Sequence, residues 1–208
     1  MKMKIMKNEL TKIVGIDYSL TCPAICQYNG QAFEDCNFAY ITNKKKYEGN
    51  FGNNITGYPM KPYNDPVERF THLSTFILKN LPENAVCFIE GYSFGSKGRA
   101  LFQIAENGGI LKYRLKYQGV QGKRIEFDII PPANIKKFAT QKGNADKEMM
   151  YDKFYEETGG NLMEKLDQQT LASPVTDMVD AYYIAKYGFV SLSIEGKVQA
   201  KIESTKGK

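Results

Sequence analysis

One histidine, four cysteines and no long apolar run are the shortages in these 208 residues. With His72 alone, a metal site built on imidazole is excluded, and His72 reads as an ordinary helix residue. Cys22, Cys26, Cys36 and Cys87 show no zinc-ligand spacing and fall in or beside predicted strands, so they read as reduced core residues. No apolar stretch nears the roughly 18 residues that a membrane span needs. The opening MKMKIMKNELTK is basic but lacks the apolar segment of a signal peptide, which points to a cytoplasmic protein. No internal repeat is visible. What is present is ordinary for a soluble globular chain: 42% hydrophobic and 25% charged residues. A net charge of +5 leans towards a polyanionic partner.

Periodicity then divides the chain. Residues 13–20, IVGIDYSL, form a near-continuous apolar run with one charge, a buried strand. Residues 21–29 and 36–42 give a second and third strand, close enough in sequence for an antiparallel meander. Residues 43–66 mix Lys, Gly, Asn, Tyr and Pro without a period and read as a long loop. Its Lys44, Lys45 and Lys46 form a charge run of the kind that is usually solvated, though they could touch a polyanionic partner. Asp65-Pro66 opens a helix to about Asn80, with Asp as cap and Pro at the first position. A buried strand, AVCFIE, spans 85–90, followed by the loop GYSFGSKG and a helix over 99–119. RIEFDII, 124–130, alternates as a strand; ANIKKFAT and DKEMMYDKFYEETGG are helices, the second ended by glycines. A last helix spans 173–188. One folded domain is expected over 1–190, with a polar, lysine-rich, loosely held tail over 191–208.

Carboxylates fall in costly places. Asp17 lies inside the first apolar strand, Glu90 ends the fourth, and Asp177 and Asp180 share one face of the last helix. A buried carboxylate is unfavourable unless paired or bound to metal. Each has a bland reading alone: a turn, a strand-end salt bridge, a solvated helix face. Together, meeting at one point, they would hold hard divalent cations through oxygen, which suits Mg²⁺ or Mn²⁺.

The blocks IVGIDYSLTCPAI, VCFIEGYSFGSKGRALFQIAENGGILKYRL, IIPPANIKKFATQKGNADKEMM and TDMVDAYYIA, in that order, resemble the RuvC-type Holliday-junction resolvases of the ribonuclease H-like superfamily. The length of 43–66 looks more like the viral or phage-type branch. The resemblance implies an α/β ribonuclease H-like fold, a mixed central sheet with three antiparallel strands first and parallel strands after, flanked by helices. It implies a crossover junction endodeoxyribonuclease that hydrolyses phosphodiesters with two Mg²⁺ ions per site, Mn²⁺ substituting, and leaves 5′-phosphate ends. Asp17, Glu90, Asp177 and Asp180 map onto its metal-binding carboxylates, with Asp17 between the ions, and Lys147 onto a lysine near the scissile phosphate. Lys97, Arg99, Lys136, Lys137 and Lys142 would bind DNA phosphates, and Tyr92 and Phe94 occupy the place of an aromatic wedge. The family acts as a homodimer on four-way DNA junctions, with no membrane and no nucleotide cofactor. The apolar residues of 99–118 (Leu101, Phe102, Ile104, Ala105, Ile110, Leu111) are long enough as a face to serve both core and partner.

Three other readings are weaker. A broader branched-DNA or flap nuclease would use the same site with looser structure choice. An actin- or hexokinase-type ATP-binding protein would need a duplicated half and glycine-rich nucleotide loops. A non-catalytic DNA-binding relative would normally have lost a carboxylate.

Overall fold

The computed structural model describes residues 12–92 and 99–206, with the backbone alone at Arg99, Glu195 and 197–206. In chain order the elements are β1 (Lys12–Asp17), β2 (Ala24–Tyr28), β3 (Cys36–Thr42), β4 (Gly49–Asn50), β5 (Ile55–Pro59), α1 (Pro66–Lys79), β6 (Ala85–Glu90), α2 (Arg99–Tyr117), β7 (Glu126–Ile130), α3 (Pro132–Thr140), α4 (Lys147–Thr158), α5 (Leu162–Lys165) and α6 (Val175–Lys206). The strands form one sheet in the order β4-β5-β3-β2-β1-β6-β7. β1, β2 and β3 pair antiparallel, as their short connections imply; β1–β6 and β6–β7 are parallel.

Alternation along the strands builds two cores. Ile13, Ala24, Cys26, Tyr28, Phe38, Tyr40, Val86 and Phe88 face α6 and α4 on one side. Val14, Ile16, Ile25, Ala39, Ile41, Cys87 and Ile89 face α1 and α2 on the other. Strands covered on both faces read as continuous apolar runs, which is what β1 and β6 show. Glycine sets how closely α6 lies on the sheet. A Cβ on Gly15 would sit 2.1 Å from the Ala181 carbonyl oxygen, so only glycine admits the helix backbone there.

The helix starts obey their caps. The Asp65 side chain accepts from the Glu68 amide at 2.9 Å, and Asp146 accepts from Met149 at 2.8 Å. Gly159, at φ 72, ends α4.

Two expectations are corrected. The segment 43–66 is not an unstructured loop: β5 pairs parallel with β3, and β4 pairs antiparallel with β5. Gly57 and Pro59 disguise β5, since both are rare inside strands. Gly57 is there for closeness: a Cβ would fall 2.0 Å from the Tyr47 carbonyl oxygen. The last helix does not end at 188 either: the backbone of α6 continues to Lys206. No helix among the described residues is long and apolar enough to cross a membrane.

Candidate active site

Two parallel strands bring the first two acids level. Ile16 pairs with Ile89, and the next residue on each strand is Asp17 and Glu90. Neighbouring strands lie roughly 4.8 Å apart. Asp17 follows Gly15 by two and Glu90 follows Phe88 by two, so both acids share the α6 face of the sheet. The helix is registered on that face by Gly15 against Ala181, and by Gly188, whose Cβ would meet the Phe88 ring at 2.1 Å. Asp180 precedes Ala181 directly and Asp177 lies one turn before it, in the first turn of α6. The acid pair therefore arrives over the ends of β1 and β6.

The electrostatics record that convergence. Burial, then repulsion from Asp177, Asp180 and Glu90, holds the Asp17 carboxyl well above the usual range, with Lys147 opposing. Asp180 is pushed up to about 7, by burial first and then by Glu90 and Asp177, against Lys147 and Lys136. Burial raises Asp177, while Ser173, Cys22 and Lys147 pull it down. Burial raises Glu90 against the Lys136 charge. Asp17 and Asp177 are 9% and 8% exposed. Asp177 Oδ2 is buried with no hydrogen-bond partner. An all-oxygen donor set with an unused buried lone pair fits a hard divalent cation. The four acids come within electrostatic reach of one another, yet no group of three His, Cys, Asp or Glu among the described residues is arranged to hold a metal ion.

The basic residues divide. Lys147, first in α4, donates to Thr176 Oγ1 at 3.3 Å, one residue from Asp177. Lys136 acts on Glu90 and Asp180 from α3. Lys137 and Lys142 are exposed. Arg99 opens α2, and its side chain lies outside the described residues, as do Phe94 and Lys97. Tyr92 leans on α2: its hydroxyl donates to the Ala105 carbonyl at 3.3 Å and accepts from Lys112 Nζ at 3.2 Å, and its ring occupies the space a Cβ on Gly108 would need. The ring is still 41% exposed. The face of α2 is apportioned as follows: Leu111 is in the core, whereas Phe102, Tyr113 and Tyr117 are 68%, 60% and 59% exposed.

Sequence reasoning missed Cys22. Its thiol is buried as expected, yet it lies within reach of the acids: burial, then the charges of Asp177 and Asp17, push it up. No spacing rule joins a residue after β1 to the start of α6; only the fold does. A cavity of about 260 Å³ borders Asp17 and Glu90, walled by Tyr18, Ile104, Leu111 and Lys112. A larger one, about 490 Å³, is walled by α4, α5 and the residues after it, and borders none of the four acids.

No family model matches this chain, and no curated protein matches it in sequence. Solved structures do. Thermus thermophilus RuvC in complex with Holliday junction substrate superposes with a TM-score of 0.51 at 14% identity, covering 83% of this chain and 90% of that one. The yeast mitochondrial Holliday junction resolvase Ydc2 gives 0.50 at 17% identity, covering 84% and 76%. The chain is an α/β protein with one mixed sheet between two helical layers. Its fold is the one these two Holliday junction resolvase structures show.

Proposed function

We propose that this chain is a divalent-metal-dependent endodeoxyribonuclease that resolves four-way DNA junctions. The observation that carries the reading is the convergence of Asp17, Glu90, Asp177 and Asp180, whose charges act on one another at the ends of β1 and β6. A protein that buries like charges without a matching set of cations is destabilised by them, so they are retained for what they bind. Asp17, Glu90, Asp177 and Asp180 would hold two Mg²⁺ ions, with Mn²⁺ able to replace them. Such ions would make the attacking water acidic and stabilise the leaving 3′ oxygen, leaving a 5′ phosphate. The chain's own groups do the rest. Lys147, steadied by Thr176, offsets charge developing on the phosphoryl oxygens. Lys136 holds phosphate on the Glu90 side, and Lys137 and Lys142 bind flanking phosphates without reading sequence. Lys97, Arg99 and Phe94 belong to the same proposal through the resemblance, and Tyr92 borders the same cavity as Asp17 and Glu90. The exposed Phe102, Tyr113 and Tyr117 of α2 offer a second copy an apolar face, and a two-fold dimer matches the symmetry of a four-way junction.

The test is cleavage of a labelled four-way junction with Mg²⁺ by wild type, Asp17→Asn and Asp180→Asn. Wild type is expected to nick paired strands at symmetric positions. Both variants should lose cleavage by on the order of 10³-fold or more and still bind. Cleavage by Asp17→Asn at the wild-type rate would end this assignment. Parallel flap and linear duplex substrates decide between a junction resolvase and a broader branched-DNA nuclease.

A further inference from the structure

The segment 43–66 arrives at the same edge of the sheet as the acids. β3 is antiparallel to β2, β2 to β1, and β5 and β6 run parallel to β3 and β1. The C-terminal ends of β1, β3, β5 and β6 therefore lie along one edge. Thr42 ends β3 there, and Lys44, Lys45 and Lys46 follow at once.

These lysines stand on a fixed base. Lys45–Tyr47 form a 3-10 turn whose Tyr47 is 3% exposed and packs into the α6-side core. The buried Tyr40 hydroxyl donates to the Tyr47 carbonyl at 2.7 Å, and Gly57 passes close enough to exclude any side chain. The Lys44 amide donates to Thr42 Oγ1 at 3.1 Å. The Lys44 and Lys46 ammonium groups stand 5.9 Å and 4.6 Å from the Tyr47 ring centre. All three lysines are exposed, and none forms an ion pair among the described residues. The Lys44 charge reaches Cys22, the thiol that the Asp177 charge raises.

An unneutralised positive ledge thus borders an acidic centre, mounted by a buried tyrosine. Sheet order puts it on the β3 side of Asp17, whereas Lys136, after β7, is on the Glu90 side. A DNA strand laid across four carboxylates is repelled by them and needs cations on both sides. A strand carries a phosphate charge about every 3.4 Å of helix axis, so neighbouring lysines can meet neighbouring phosphates.

Resting on the nuclease reading above, we propose that Lys44 and Lys46, fixed by Tyr47, bind backbone phosphates of the DNA strand where it continues from the scissile position towards β3. Lys45 adds charge without the ring contact. This ledge binds and orients; it takes no part in bond breaking.

The experiment compares wild type, Lys44→Ala/Lys46→Ala and a control pair, Lys79→Ala/Lys153→Ala, which removes equal charge from α1 and α4. Junction affinity is measured against salt with a chelator present, and cleavage with Mg²⁺. The ledge variant should lose affinity, and its log–log salt slope should fall by about 2, near 0.9 per phosphate contact. Its KM should rise while kcat holds, and Lys44→Arg/Lys46→Arg should restore both. Because these side chains are exposed, melting should match wild type. A ledge variant with the wild-type slope and affinity, or a control pair that loses as much, overturns the inference while leaving the nuclease reading intact. A wild type that neither binds nor cuts junctions overturns the nuclease reading, and this inference with it.

Discussion

Two clusters of buried charge on α6 are arranged in opposite ways. Lys186 and Glu157 join α6 to α4 at 2.5 Å with side chains 16% and 24% exposed, opposite signs in contact. The Tyr182 and Tyr183 hydroxyls face the same carboxylate. About two turns earlier on α6 this logic is reversed: Asp177 and Asp180 sit with Asp17 and Glu90, like charge against like. Among the described residues Lys147 and Lys136 answer them, and every acid of the four is raised. The first arrangement holds two helices together. The second costs stability, and such a cost is the physical mark of a binding or catalytic centre.

The difference can be broken at its cations. Lys147→Ala should lower kcat by about 10²-fold, the scale of losing one group that stabilises developing charge, with little change in melting. Lys186→Ala should do the reverse. It leaves Glu157 without its partner and should cost roughly 1–3 kcal/mol of stability, with turnover retained below the melting range. Urea unfolding and single-turnover cleavage on both variants check the pair. Equal losses of stability would erase the distinction.

Stability against pH sharpens the same contrast. The folded-state carboxyl of Asp180 is raised from the ordinary 3.8 to about 7. The folded state therefore holds a proton that the unfolded chain releases, and stability falls as pH rises from about 4 through about 7. Asp17, shifted in the same direction, adds to that fall. Asp180→Asn removes its share. With a chelator present, the variant should be about 2–4 kcal/mol more stable than wild type at pH 8, and the gain should vanish near pH 4. Glu157→Gln should show no such gain at pH 8. Unfolding curves at both pH values decide it; a gain at pH 4 equal to that at pH 8 would remove the electrostatic cause.

Much of this centre was legible because burial makes a charge conspicuous. An aspartate inside IVGID, and a glutamate at the end of AVCFIE, violate the apolar run around them. What was not legible depends on packing. β5 escaped notice because Gly57 and Pro59 look like loop residues, yet the glycine exists so that the strand can pass the Tyr47 carbonyl. Lys44 to Lys46 read as solvated and are exposed, but nothing in their own sequence says that Tyr47 is buried beneath them. The continuation of α6 past residue 188 escaped because a lysine-rich composition masked apolar residues four apart, at Val190, Ile194, Val198 and Ile202. Cys22 was placed in the core correctly, but its nearness to Asp177 joins elements more than 150 residues apart.

The smallest expected effect isolates the link between the two kinds of residue, acid and base, at the centre. Thr176 is 3% exposed, and its hydroxyl accepts from Lys147 at 3.3 Å. Thr176→Val keeps the shape and removes the acceptor, so Lys147 is left without its fixed direction. A hydrogen bond of this kind is worth about 0.5–1 kcal/mol, which corresponds to a drop in kcat of roughly 2–5-fold. Stability should change little, because Lys147 is exposed and can turn to water. The double variant Lys147→Ala/Thr176→Val tests the assignment most strictly: if Thr176 acts through Lys147, adding Thr176→Val to Lys147→Ala should cost nothing more. A further loss of the same size in the double variant would mean that Thr176 works on the acids directly, through its neighbour Asp177.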